Sequence, residues 1–352
     1  MGSISTVPGV PGRKEDPMKA VIAVGGMAPD EAGAFRETGI DRPAPGARDL
    51  LVHVHAVSVN PVDTKVHARM AAGEEKILGW DACGVVEAVG SAVTRLVPGD
   101  RVFYAGDITR PGTNAEYHLI DERLAGRAPE SLSAAEAAAM PLTTLTAWEA
   151  LFVRLGFTPR ADANAGSSVL VIGGAGGVGS MALQLARWAG ITAVATASRE
   201  DTTAWCLDHG ASLVVDHRGD IPAQLAQNGH ETVDAVFCTT HVESHWQAMA
   251  RAVRPQGSVC LIDDPTTPLD ITLFKQKSAR ICWEFMYTRS MFATEDMAEQ
   301  GSILDQAARL VDAGTLRTTL TRTLEGLSAK NLADAHLRQL SGRMIGKQVV
   351  AL

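Results

Sequence analysis

Hydrophobic and polar residues alternate in two different ways along this chain, and the change divides it into two parts. After residue 190, short apolar runs of strand length alternate with segments of helical character. Strands are predicted over 193–197, 213–215, 233–238 and 258–262, and helices over 202–209, 221–227 and 243–253. Repeated strand–helix units of this kind predict an α/β fold with a parallel, doubly wound sheet and right-handed crossovers.

The stretch before residue 142 shows short strands separated by glycine and proline turns. A first strand is predicted over 18–24, and 50–59 alternates apolar and polar residues as a half-buried antiparallel strand does. Further strands with turns are predicted over 79–90 and 97–102, so this part of the chain is expected to form a small, barrel-like β domain. The polar segment 60–65, which contains a proline, is predicted to be a loop.

A glycine-rich turn joins an apolar strand over 169–172 to a helix over 180–188. Gly174, Gly176 and Gly179 fit the pattern G-x-G-x-x-G. In such a turn one glycine permits the tight bend, a second lets a pyrophosphate approach the backbone, and a third lets helix and strand pack closely. The helix start adds free N–H groups and a partial positive charge. A purely structural turn is the alternative, but the position between strand and helix favours a dinucleotide site.

Composition narrows the class of protein. The 352 residues suggest about two domains, and the net charge of −8 argues against nucleic acid or an anionic membrane as a main partner. No apolar run has the length of a membrane span. Five scattered cysteines without a C-x-x-C spacing indicate reduced thiols and a cytoplasmic protein. Residues 1–17, rich in Pro, Gly and Ser, are expected to be a disordered leader.

Four motifs carry a resemblance to a known family. They are G-W-D-x-x-G-V-V-E-x-V-G at 79–90, V-P-G-D-R-V at 97–102, T-x-x-T-A-W at 143–148 and G-G-A-G-G-V-G at 173–179. In this order they resemble the medium-chain dehydrogenase/reductase superfamily over nearly the whole chain from residue 18. The chain looks most similar to the zinc-independent quinone oxidoreductase branch, whose members are often labelled zinc-type alcohol dehydrogenase-like.

This resemblance implies a division of the chain and an assembly. A GroES-like catalytic domain would comprise 18–142 and 288–352, and a Rossmann domain that binds NADPH would comprise 143–287. The resemblance also implies a homodimer, in which the apolar strand 281–285 extends the sheet across two subunits.

Zinc ligands of the family's metal-dependent members are missing here. Those relatives place the ligands of their catalytic zinc at three positions: a Cys where Asn60 stands, a His where Trp80 stands and a Cys near Leu142. Their structural zinc lobe would fall between Cys83 and Cys206, where this chain has no cysteine. Amide, indole and aliphatic side chains cannot replace thiolate and imidazole ligands, so no metal site is predicted.

The end of the second strand of the Rossmann unit predicts which cofactor binds. NAD-binding folds usually place an acidic residue there, about 20 residues after the last glycine, but this chain has Ser198 and Arg199, which suit the 2′-phosphate of NADPH. In a different register, Glu200 would be the acidic residue that binds the ribose hydroxyls. His217, after the next strand, stands where relatives often carry a Tyr near this phosphate; a plain loop histidine is the alternative. The predicted cofactor residues are Thr143, Thr146, Gly174, Gly176, Gly177, Val178, Gly179, Ser198, Arg199 and His217.

The missing metal ligands also bear on the reaction. Since no Lewis acid would lower the pKa of an alcohol, the sequence favours hydride delivery to a small quinone or α,β-unsaturated carbonyl compound. Asn60 is predicted to donate to the forming oxyanion, Asp63 and Lys65 to orient the site or supply a proton, and Trp80 and Tyr104 to wall the acceptor. Two alternatives stay open: an NADPH-binding sensor or crystallin-like protein without turnover, and an alcohol or aldehyde dehydrogenase.

Overall fold

The computed structural model describes residues 17–352, so the expected leader over 1–17 lies outside the described residues except for Pro17. The strands are β1 (Met18–Val24), β2 (Phe35–Ile40), β3 (Asp49–Ser58), β4 (Glu75–Ile77), β5 (Asp81–Val89), β6 (Arg101–Tyr104), β7 (Tyr117–Asp121), β8 (Ala125–Arg127), β9 (Ser168–Ile172), β10 (Thr192–Thr196), β11 (Leu213–Val215), β12 (Val233–Cys238), β13 (Val253–Leu261), β14 (Arg280–Trp283), β15 (Leu320–Glu325) and β16 (Lys347–Ala351). The α-helices are α1 (Pro61–Arg69), α2 (Ala134–Ala138), α3 (Pro141–Trp148), α4 (Gly177–Trp188), α5 (Glu200–Asp208), α6 (Ile221–Gln227), α7 (Val242–Ala252), α8 (Thr288–Met291), α9 (Glu299–Asp312) and α10 (Ala329–Leu340). A π-helical segment, Glu149–Arg154, follows α3. Within 17–352, no helix combines the length and the apolar character needed to cross a membrane.

Six strands form a parallel sheet in the order β11-β10-β9-β12-β13-β14. This confirms the doubly wound sheet predicted from the sequence. The chain enters at β9, winds outward through β10 to β11, and then returns to the other side of β9 to continue from β12. Ligands bind at such a reversal because the connections after the two central strands diverge there.

A second large sheet is built around β3, which pairs with β5, β7 and β16. Exposed and buried side chains alternate along this part of β3, as predicted. His53 and His55 are exposed on one face, with ring centroids 5.0 Å apart, while Val52 and Val54 are buried on the other. The C-terminal strand β16 runs antiparallel to β3. Lys347, the first residue of β16, therefore lies beside Asn60, just beyond the end of β3.

The segment 60–65 forms the start of α1, so the prediction of a loop was wrong. Asn60 stands at the N-cap with an extended backbone, and Pro61 occupies the first helical position. The carboxylate of Asp63 accepts a hydrogen bond of 2.7 Å from the backbone N–H of Asn60. An N-cap Asn, a proline at the first position and an acidic residue at the third are all signals of a helix start, and the loop prediction gave them too little weight.

Helix α3 connects the two sheets. All eight of its residues are buried, and it packs against both α4 and α9. Its hydroxyls are held by the helix itself, since Thr143 donates to the carbonyl of Met140 at 3.0 Å and Thr146 to that of Leu142 at 2.8 Å. The position of α3 thus fixes where these two threonines lie relative to the glycine turn.

Candidate active site

One cleft of about 530 Å³ is lined by residues from both large sheets. The glycine turn after β9 and the segments after β10, β12 and β13 form one side of it, and α1, α3 and the start of β16 form the other. The predicted site residues that line it are Asn60, Lys65, Thr143, Thr146, Gly176, Gly177, Val178, Ser198, Arg199 and His217. Those that do not line it are Asp63, Trp80, Tyr104, Gly174 and Gly179.

The glycines of the turn fall into two groups. A Cβ on Gly174 would lie 2.8 Å from the Cβ of Ala195, and one on Gly179 would lie 2.2 Å from the carbonyl oxygen of Gly173, so these two permit close packing of the turn. A Cβ on Gly176 would meet nothing closer than 3.5 Å, and Gly176 lines the cleft. The start of α4 thus presents accessible backbone to the cleft, which fits the pyrophosphate of a dinucleotide.

Two arginines follow the strands β10 and β11, and Arg199 is the one that lines the cleft. Arg199 is partly exposed, and its Nε donates to Asp201 at 3.1 Å. Arg218 does not line the cleft; it pairs with Asp216 at 2.7 Å and donates to the carbonyl of Ser198 at 3.1 Å. Glu200, the alternative ligand for a ribose, begins α5 and does not line the cleft. Arg199 is thus the basic side chain that lines the cleft just after β10.

A buried polar cluster lies where α1, β5 and β16 meet. Asn60 donates from Nδ2 to Asp81 Oδ2 at 2.8 Å and accepts from Lys347 Nζ at Oδ1. Lys347 also donates to Asp81 Oδ2 at 3.2 Å, and the other oxygen of Asp81 accepts from the backbone N–H of Leu142 at 2.7 Å. Nδ2 of Asn60 also donates to the carbonyl of Ser58 at 3.4 Å, so the amide is engaged within the protein, and its role as the donor to a substrate oxyanion stays a prediction.

Lys347 is the residue of this cluster that the sequence did not reveal. It lines the cleft, and a Cβ on Gly177 would lie 2.8 Å from its Cδ. Burial lowers the pKa of Lys347 and raises the pKa of Asp81, while the attraction between the two charges opposes both shifts. No local motif marks this lysine, since it opens an ordinary apolar strand about 170 residues after the glycine turn.

The other two residues predicted to act in catalysis occupy different environments. Asp63 is fully buried behind Asn60, and burial raises the pKa of its carboxyl group to about 7. Lys65 is half-buried in the cleft wall, and its ammonium group pairs with Asp263, just after β13, at 2.7 Å. The Lys65 side chain thus joins α1 to the parallel sheet across the cleft.

Trp80 and Tyr104 lie in the core, which corrects their predicted role as walls of the acceptor site. The indole of Trp80 donates to the carbonyl of Asp107 at 3.2 Å, and the hydroxyl of Tyr104 bonds to His118 Nδ1 at 3.1 Å. Burial raises the pKa of Tyr104 well above its usual range. The aromatic side chains that do line the cleft are Phe285 and Tyr287, from the segment after β14. The sequence could not show which side of each strand end faces the cleft.

The residues at the zinc-ligand positions do not fit a zinc ion. Asn60 has an engaged amide, the Trp80 indole nitrogen is a donor already in use, and Leu142 offers no ligand atom. Across residues 17–352, no group of three or more His, Cys, Asp or Glu side chains is arranged to hold a metal ion.

An ionic cluster adjoins the cleft at the π-helical segment. Arg154 Nε donates to Glu284 at 2.8 Å, and Arg289 contacts the buried carboxyl group of Glu149. Burial and the neighbouring charge of Glu284 raise the pKa of Glu149 to about 8. Glu284 itself lines the cleft and is almost fully buried.

Replacing Glu149 by Gln is expected to flatten the pH dependence of stability. The pKa of Glu149 is about 8 in the folded protein, against an ordinary value of 4.5. Between these values the folded state keeps a proton that the unfolded chain has released, so the free energy of unfolding falls as the pH rises from about 4.5 to about 8. Glutamine cannot ionise and removes this contribution. Denaturant midpoints at several pH values test this, with Glu231→Gln, an exposed loop residue, as control; an unchanged profile in Glu149→Gln would contradict it.

Comparison with known proteins identifies the family. The family model described as alcohol dehydrogenase GroES-like domain matches residues 46–144, and the one described as zinc-binding dehydrogenase matches 177–300. With the parallel sheet and its glycine turn, these matches show that the chain belongs to the medium-chain dehydrogenase/reductase superfamily of oxidoreductases. The predicted combination of a GroES-like and a Rossmann-type domain is confirmed.

Individual relatives are similar over most of their length. A zinc-type alcohol dehydrogenase-like protein of Staphylococcus epidermidis is 39% identical over 335 residues, which cover 95% of this chain and 100% of that protein. The crystal structure of a putative zinc-dependent alcohol dehydrogenase from Rhizobium etli matches with a TM-score of 0.90 and 48% identity, covering 95% of this chain and 98% of that one. A trans-enoyl reductase from a Penicillium species is 34% identical over 265 residues, 72% of this chain and 73% of the relative.

Proposed function

We propose that this oxidoreductase transfers hydride from NADPH to an α,β-unsaturated carbonyl compound or a quinone, without a metal ion. The observation that carries the proposal is the composition of the cleft. The cleft combines a dinucleotide turn and Arg199 with the apolar and aromatic side chains of Leu142 and Phe285. The three zinc-ligand positions supply no zinc ligands. The similarity to a trans-enoyl reductase supports an activated double bond as the acceptor.

The chain's own residues would bind NADPH, orient its nicotinamide and stabilise the charge that forms on the acceptor. The backbone at Gly176 and Gly177 would hold the pyrophosphate, and Arg199 the 2′-phosphate. Thr143 and Thr146 border the end at which the nicotinamide would lie, where NADPH supplies the hydride. Lys347 lines the cleft and donates to Asn60 and Asp81, so it would hold the Asn60 side chain in place beside the acceptor. The buried walls around Leu142 exclude water from the reacting atoms.

The division into domains belongs to the same proposal. We assign residues 18–142 and 288–352 to the catalytic domain and 143–287 to the NADPH-binding domain. The pairing of β16 with β3 supports joining the C-terminal segment to the N-terminal one. The cytoplasmic location, proposed from the scattered free thiols, suits a reductase that draws on the cellular NADPH pool.

A screen of acceptors tests the reaction. Purified protein should consume NADPH with 9,10-phenanthrenequinone or with an enal such as trans-2-hexenal, and should not reduce NADP⁺ with ethanol. The physical reason is that alcohol oxidation must remove a hydroxyl proton of high pKa, and Asn60, Trp80 and Leu142 are not side chains that would hold a zinc ion to lower it. Robust alcohol oxidation without quinone or enal reduction would overturn the proposal, and NADPH binding without any turnover would favour the sensor alternative.

Elemental analysis is expected to find no stoichiometric zinc in the purified protein. The reason is the ligand chemistry at Asn60, Trp80 and Leu142, none of which supplies the thiolate or imidazole that zinc prefers. A chelator should leave turnover unchanged. One tightly held zinc per chain, together with loss of activity on chelation, would show that this part of the proposal is wrong.

A homodimer is expected in solution, formed through the edge strand β14. Trp283, the last residue of β14, is 48% exposed, and an unpaired edge strand with an apolar side chain favours pairing with a second copy. Light scattering should give twice the mass of one chain. Trp283→Glu should shift the protein toward monomer, while Leu207→Glu, at a similarly exposed residue on α5, should not. A monomeric wild-type protein at micromolar concentration would contradict this.

A further inference from the structure

Two cysteines lie opposite each other on neighbouring strands of the parallel sheet. Cys260 of β13 and Cys282 of the edge strand β14 are partners in the register of the two strands. Neighbouring strands lie about 4.8 Å apart, and disulfides span Cα separations of roughly 4.4–6.8 Å. Both cysteines are free. The fold therefore places two thiols at a separation that one disulfide bond can span.

The side chains of this pair lie on the same face of the sheet. Two residues earlier on each strand, Arg280 Nε donates to the hydroxyl of Ser258 at 3.1 Å, and these two residues are also register partners. Residues two apart on a strand share a face, so the thiols lie on the face where this contact forms. The side chains of Cys260 and Cys282 interact directly with each other. No rearrangement of the strands is needed to bring the two sulfur atoms together.

The two thiols differ in exposure. Cys282 is partly exposed, whereas Cys260 is fully buried. A small oxidant in solution therefore reaches Cys282 first, and Cys260 lies beside it as a second thiol. Redox-sensitive cysteines often combine an accessible thiolate with a neighbouring thiol in this way. Pairing along the edge of β14 in the expected dimer would use backbone N–H and C=O groups, whereas the Cys282 thiol lies on a face of the sheet.

Two guanidinium groups flank Cys282. Arg280 lies two residues before it on the same strand face, and Arg154 of the π-helical segment donates to Glu284, two residues after it, at 2.8 Å. The interaction with Cys260 and the charge of Arg154 lower the pKa of Cys282, although burial and the charge of Glu284 oppose this shift. The same interaction and burial raise the pKa of Cys260. Cys282 is therefore the thiol that ionises first, and the thiolate is the reactive form.

We propose that Cys260 and Cys282 form a reversible disulfide when the protein meets a hydroperoxide. In the first step the Cys282 thiolate attacks one oxygen of hydrogen peroxide, the O–O bond breaks, and hydroxide leaves to give a sulfenic acid on Cys282. In the second step the sulfur of Cys260 attacks this sulfenic sulfur, and water leaves with the proton of the Cys260 thiol. The two thiols are oxidised, and the peroxide is reduced to two molecules of water. This inference does not depend on the proposed reductase activity.

Counting thiols tests the inference on the full-length protein. The reduced protein is treated with hydrogen peroxide, the oxidant is removed, and the free thiols are counted in denaturant. Two of the five thiols should disappear, and mass spectrometry should find the peptides that contain Cys260 and Cys282 joined by a disulfide. Dithiothreitol should restore all five thiols. Five unreacted thiols, or a disulfide between two chains instead, would overturn the inference.

Serine variants separate the roles of the two cysteines. Cys282→Ser, at a partly exposed position, should lose no thiol to peroxide, because the remaining member of the pair is buried. In Cys260→Ser the sulfenic acid has no neighbouring thiol, so dimedone should label Cys282. Cys238→Ser removes a buried thiol on β12 and is the control, in which the disulfide should form as in the wild type. An unchanged loss of thiols in Cys282→Ser, or oxidation of wild-type Cys282 to sulfinic acid without a bond to Cys260, would show that the assignment is wrong.

Discussion

Lys347→Met is expected to destabilise the folded protein by about 3–5 kcal/mol, the range found when one partner of a buried ion pair is removed. Lys347 is 3% exposed, and its ammonium group donates to Asp81, Asn60 and the carbonyl of Val59. Methionine keeps the length of the side chain but leaves the Asp81 carboxylate buried without a cation. The unfolding midpoint in guanidinium chloride, followed by circular dichroism, measures the loss.

Two further variants separate charge from packing. Lys330→Met changes an exposed lysine on α10 and should leave the midpoint unchanged. The double variant Asp81→Asn/Lys347→Met removes both charges, so it should recover part of the stability lost in Lys347→Met. If the double variant is as unstable as the sum of the two single variants, then the ion pair is not the source of the effect.

Arg199→Ala is expected to weaken NADPH binding by about 10- to 150-fold, which corresponds to roughly 1.5–3 kcal/mol for a lost charge-assisted contact. Arg199 lines the cleft just after β10, at the place where a Rossmann fold reads the 2′ position of the ribose. NADH lacks the 2′-phosphate, so its affinity should change little. Fluorescence titration of the protein with each nucleotide gives both dissociation constants.

The ratio of the two affinities is the decisive quantity for Arg199. Arg199→Lys should retain part of the preference for NADPH, because an ammonium group keeps the charge but loses the paired donor geometry. Arg160→Ala changes an exposed arginine outside the cleft and serves as the control. Equal weakening of NADPH and NADH in Arg199→Ala would show a structural role for Arg199 and reopen the assignment of Glu200 as a ribose ligand.

Most of the fold could be predicted from the sequence because its signals are local. The strand and helix periodicities after residue 190 recur in β10 to β13 and α5 to α7 with shifts of a few residues at their ends. The glycine turn is also local, since a short run of residues contains the bend, the packing glycines and the helix start. The prediction of a loop at 60–65 was wrong, because its helix signals were outweighed by the expectation that proline marks a loop.

The same distinction between local signals and long-range contacts decides which parts of the candidate site could be predicted. The sequence by itself determined the dinucleotide turn, the position of Arg199 after β10, and the absence of zinc-ligand side chains at Asn60, Trp80 and Leu142, because each depends on residue types within one short segment. Only the tertiary structure decided that Lys347 joins Asn60 and Asp81, since strand pairing of β16 with β3 brings together residues nearly 290 positions apart. The structure also decided that Tyr287, rather than Tyr104, faces the cleft, because that depends on how the chain turns after β14 and no periodicity in the sequence encodes it.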